Sequence, residues 1–99
     1  MRSDYKTKKD LNGGIQLIWH FKNGYGLSVI KHNTSYGQEK GLWEAAIISG
    51  TKKNWNIEGR NSISKDWGGV DWGGLVKGYL QDADVDELLT KVENLAKKV

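Results

Sequence analysis

Apolar and polar positions alternate along much of this chain. From Ile15 to Phe21, the residues Ile15, Leu17, Trp19 and Phe21 fall on one side and Gln16, Ile18, His20 and Lys22 on the other. A period of two, with aromatic and β-branched residues, predicts a strand. Asn23-Gly24 follows, a dipeptide suited to a type I′ turn with a two-residue loop. That loop pairs His20 with Leu27, Trp19 with Ser28 and Leu17 with Ile30. One face then carries Ile15, Leu17, Trp19, Phe21 and Ile30. The other carries Ile18, Leu27, Val29 and Tyr25.

Asn33 to Gly41 reads as a loop by composition, and Leu42 to Ser49 as a third strand with Trp43, Ala45 and Ile47 on one face. Lys52 to Glu58 reads as a short, polar edge strand with Trp55 and Ile57 inward. Residues 59–78 contain a tandem Asp-Trp-Gly-Gly at a period of five, Asp66 to Gly69 and Asp71 to Gly74. Five matches neither strand nor helix, so the segment reads as two glycine-rich turns, each presenting an indole.

Val85, Leu88, Leu89, Val92, Leu95, Ala96 and Val99 form one helical stripe within Asp82–Val99. Asp84 and Glu87 have capping-box spacing, and Asp82 is the alternative cap. The expected fold is α+β: an antiparallel meander of about four strands with one C-terminal amphipathic helix across one face. Residues 1–10 read as a flexible basic N-terminus, and 11–99 as a single domain. One helix covers one face, so the other is expected to need a partner, a second copy or the tryptophan-rich segment.

Charge refines this picture slightly. Residues 1–60 hold ten Lys or Arg against five acids, and residues 61–99 hold five Lys against seven acids, for a net charge of +3. That is too little for a dedicated nucleic-acid protein, although a basic sheet attracts anionic partners. Cysteine is absent, which fits a reducing cytosol and removes thiolate metal sites. No apolar run approaches the roughly 20 residues that span a bilayer, and the start has no apolar signal core.

Candidate chemistry is sparse. His20 and His32 are twelve positions apart and fall at opposite ends of the hairpin, which argues against zinc. Asp82, Asp84, Asp86 and Glu93 match four positions of a calcium loop, but Glu87 stands where that loop needs glycine. A helix N-terminus explains these acids. No nucleophile elbow, paired-carboxylate cleft or phosphate loop is present, so no enzyme, cofactor or metal is expected. Lys22 to Leu27 echoes a ribonucleoprotein motif. This gives a single-stranded nucleic-acid reading through Trp19, Tyr25, Lys22 and Lys31.

Several short motifs in fixed order resemble a family. Asn23-Gly24-Tyr25-Gly26-x-Ser28-Val29, Ser35-Tyr36-Gly37, Gly41-Leu42-Trp43-Glu44-x-Ala46-Ile47, and Gly78-Tyr79-Leu80 before Asp84-Val85 are similar to small proteins encoded by tailed bacteriophages and prophages. The resemblance covers about residues 15–96 and has no established activity attached. It implies a cytoplasmic setting in an infected bacterium. Two departures stand out. The family's Thr-Pro-Ile-like turn is replaced by a Trp/Gly segment in a chain without proline, and the helix cap, usually Ser or Thr, is Gln81.

The expected role is therefore a non-enzymatic phage protein that docks on a host or phage protein and modulates or inhibits it. The expected contacts are Tyr36, Trp55, Trp67 and Trp72, with Lys52, Lys53 and Arg60 at the rim. A self-associating structural component of the virion, dimeric through the open sheet face, is a further alternative.

Overall fold

The computed structural model describes residues 1–11, 13–31, 41–58, 61–67, 69–71 and 74–96. Among them are seven strands, β1 (Thr7–Leu11), β2 (Gly14–His20), β3 (Tyr25–Lys31), β4 (Trp43–Gly50), β5 (Trp55–Ile57), β6 (Gly69–Asp71) and β7 (Gly74–Leu80), and one helix, α1 (Asp82–Glu93). All pairings are antiparallel, in the order β1-β2-β3-β4-β7-β6, with β5 pairing the end of β4. The α+β class and the C-terminal helix on the sheet agree with the sequence. The strand inventory is larger than four.

The hairpin register corrects the expected one. Leu17 pairs Val29, Trp19 pairs Leu27 and His20 pairs Gly26. Phe21 and Tyr25 close the ladder, with the Phe21 N–H donating to the Tyr25 carbonyl at 2.8 Å. The loop is therefore Lys22-Asn23-Gly24, and only Gly24 has positive φ, at 89°. Asn23 is not left-handed, so the type I′ turn is excluded. Its side chain has other work: Oδ1 accepts from the Tyr25 N–H at 3.0 Å.

A one-residue shift exchanges faces. Leu27 and Val29 join Leu17, Trp19, Trp43, Ala45 and Ile47 beneath Val85, Leu88, Leu89 and Val92 of α1. This is the face the helix covers. The opposite face was expected to need a partner, a second copy or the tryptophan-rich segment to cover it. Its apolar residues Ile18, Ile30, Ala46, Ile48 and Val76 are instead buried within the single chain, at 2% exposure or less.

The N-terminal segment, read from the sequence as a flexible arm, is placed against the sheet and the helix. β1 adds to β2, and the residues before it bind the helix. The Arg2 N–H donates to Asp86 Oδ1 at 2.7 Å, and the Arg2 guanidinium reaches Asp4 at 2.7 Å and Glu93 at 3.1 Å. Tyr5 packs edge-on against Trp19. Lysine content suggests a solvated arm, yet Arg2, Asp4 and Tyr5 each find a specific partner.

Residues 59–78 also differ from expectation. Their described part contains a 3-10 turn (Ser64–Asp66), β6 and most of the long inner strand β7, which pairs β4 on one side and β6 on the other. Leu75 and Val76 are buried although adjacent, because β7 is covered on both faces.

The helix is capped by Gln81, neither Asp82 nor Asp84. The Gln81 N–H donates to Asp84 Oδ2 at 2.9 Å, one half of a capping box. Asp82 instead accepts from the Trp43 indole at 2.8 Å, tying the helix start to β4. At the other end α1 stops at Glu93, and Ala96 is exposed.

Candidate functional site

The most unusual backbone position is Tyr79. Its φ is 60°, and among the described non-glycine residues it alone has positive φ. An L-residue with a bulky ring is disfavoured there. The cause lies in the β4–β7 ladder, where Trp43 pairs Leu80 and Ala45 pairs Lys77. β4 advances two residues while β7 advances three, so β7 bulges at Gly78-Tyr79. A bulge re-aims the side chain it carries. Tyr79 is accordingly 54% exposed near the end of a strand in a sheet whose other large apolar side chains are mostly buried.

Beside it lies a groove of about 310 Å³ between β7 and α1, lined by Lys77, Gly78, Tyr79, Leu80, Asp84, Glu87, Leu88 and Lys91. Leu80 and Leu88, both buried, belong to the core beneath it. The rim charges are partly spoken for. Lys91 pairs Glu87 at 3.4 Å, and Asp84 accepts from the Gln81 N–H in the capping box. Lys77 is exposed and has no ion pair among the described residues. The groove thus combines an aromatic wall, an apolar floor and one cation without an acidic partner on the described surface.

The residues expected from sequence are placed differently. Trp67 is half-buried and packs against the main core, and Trp55 is half-buried on the edge strand β5. Lys52 and Lys53 are exposed in the β4–β5 turn. Tyr36, Arg60 and Trp72 lie outside the described residues. Lys52, Lys53 and Trp55 thus fall together at the β4–β5 turn, while Trp67 packs against the core.

The nucleic-acid reading loses its aromatic platform. Trp19 is fully buried and donates its indole N–H to Asp4 Oδ1 at 2.9 Å. Tyr25 is half-buried against the core. Lys31 lies over the Trp43 ring at 4.2 Å, which orders the cation on the protein itself. Lys22 alone of the four is exposed.

Among the described residues no group of three or more His, Cys, Asp or Glu is arranged to hold a metal ion, and no helix is long and apolar enough to cross a membrane. The groove was missed because a bulge has no periodic signature. The available signal was Gly78-Tyr79 within an otherwise apolar run. Comparison with family models, curated proteins and solved structures finds no match for this chain.

Proposed function

We propose that the protein is a non-enzymatic docking module that seats a segment of a partner protein in the groove between β7 and α1. The observation that carries this reading is Tyr79, more than half exposed on a left-handed backbone at a bulge. Strained backbone persists where the surrounding structure fixes it, and such positions concentrate at binding sites. Tyrosine supplies a large amphipathic contact at low conformational cost. The occupant is a partner side chain of apolar type over Leu80 and Leu88, with an acidic neighbour facing Lys77. The phage resemblance of the Gly78-Tyr79-Leu80 segment supplies the setting, a protein of the bacterial host cell whose activity the docking modulates or inhibits.

Affinity capture from bacterial lysate tests this. A protein retained by the wild type should be lost with Tyr79→Ala and kept with Trp55→Ala, which alters an aromatic on another strand. Recovery of the same proteins by all three would contradict the proposal.

A further inference from the structure

A second cleft, of about 510 Å³, lies beside the β2–β3 turn, with Asp4, Lys6, His20, Lys22 and Glu93 among its walls. His20 is the anomaly in it. The residue as a whole is half-buried, yet both ring nitrogens are sealed from water and neither has a hydrogen-bond partner among the described residues. A neutral imidazole carries one donor and one acceptor, and a buried polar group without a partner points to an absent water, ion or ligand.

The charges around it have one sign to spare. The two carboxylates of the cleft are both engaged by Arg2, at 2.7 Å to Asp4 and 3.1 Å to Glu93. Lys6, Lys22 and Lys52 are exposed and make no ion pair among the described residues. Lys52 comes from the β4–β5 turn and Lys6 from the segment leading into β1, and both act on the imidazole electrostatically. The cations that line the cleft beside the histidine are Lys6 and Lys22, from two separate parts of the chain.

We propose that this cleft binds a phosphate-type oxyanion, held by the ammonium groups of Lys6 and Lys22 and by an N–H of His20. Charge-assisted N–H to phosphate bonds are the strong class of such contacts. A rotation of the imidazole brings one nitrogen to the cleft that the ring already lines. The bound anion then supplies the missing acceptor. It also reverses the local electrostatics, since burial, Lys52 and Lys6 favour the neutral ring while an adjacent anion favours the imidazolium. This site is independent of the Tyr79 groove, on different elements and by different chemistry.

The test is a titration of the His20 ring-proton resonance by NMR, assigned with His20→Gln. Inorganic phosphate and adenosine monophosphate are the probes, with chloride at equal ionic strength of about 0.1 M as the control. Either probe should shift the resonance and raise the His20 pKa relative to chloride. Tighter binding of the nucleotide would identify a phosphomonoester source, and equal binding would identify the free ion. A Lys6→Gln/Lys22→Gln variant, shown folded by circular dichroism, should bind about tenfold more weakly. An unmoved resonance with both probes, or an equal response in the double variant, would overturn the proposal.

Discussion

The side chain of Asn23, in the β2–β3 turn, donates to the backbone carbonyl of Val92 at 2.8 Å, across 69 positions of sequence. The same amide nitrogen reaches the carbonyl of Leu95 at 3.1 Å. Helix C-termini leave carbonyls without intrahelical partners, and here a hairpin loop supplies the donor. The turn therefore orients the end of α1 on the sheet. Asn23→Ala removes these bonds and the Asn23 contact to the Tyr25 N–H. Urea unfolding should show a loss of about 1–3 kcal/mol. An unchanged midpoint would mean that the turn and the helix end are energetically independent.

Gly26 has no room for a side chain. A Cβ there would lie 2.0 Å from the Trp19 carbonyl oxygen and 3.1 Å from Ile48 Cγ1. The first contact is with backbone, which moves only if the β2–β3 ladder moves. Gly26→Ala should cost about 3 kcal/mol or prevent folding, seen as loss of cooperative thermal unfolding. A folded variant within about 1 kcal/mol of wild type would contradict the described strand pairing.

Two titrations carry opposite linkage. The Arg2 guanidinium, helped by the Trp19 indole, holds the Asp4 carboxyl below its usual 3.8 against opposing desolvation. A depressed carboxylate stabilises the fold above the unfolded pKa, and that contribution is lost as pH falls from about 3.8 through the folded value. Because Asp4 is exposed, solvent screening keeps the effect small. His20 is depressed below 6.5 by burial, then by Lys52 and Lys6. The unfolded chain then binds the proton more readily, so stability present above pH 6.5 should fall as pH drops below that value. Without added anion, stability measured from pH 8 to 5 should fall more in wild type than in His20→Gln. Parallel curves would show that the imidazole is not desolvated.

Fold class was readable because Ile15 to Phe21, Leu42 to Ser49 and Val85 to Val92 each repeat with a clear period. The face assignment was not. Asn23-Gly24 suits two different loops, and the choice is set by Asn23 binding the helix end, a contact between residues far apart in sequence. The N-terminal strand was hidden because Lys8, Lys9 and Asp10 face solvent on an edge. β7 was hidden by its glycines and by the bulge that breaks its alternation. That bulge is also what makes the candidate site, so the segment least legible in the sequence carries the groove.

Tyr79 should trade stability for binding. Tyr79→Gly relieves a left-handed backbone, a strain of about 1–2 kcal/mol in an L-residue, offset in part by the greater freedom of glycine when unfolded. Thermal unfolding should place Tyr79→Gly within about 1 kcal/mol of wild type or above it, while partner capture is lost. A large loss of stability would assign the ring a packing role instead.

The most direct measurement is site-specific photo-crosslinking in bacterial cells, with a benzophenone amino acid at position 79 and, separately, at position 55. Crosslinking of a cellular protein from position 79, absent from position 55 and suppressed by Lys77→Glu on the groove rim, is the outcome the docking account predicts. No adduct from position 79, or the same adducts from both positions, would contradict it.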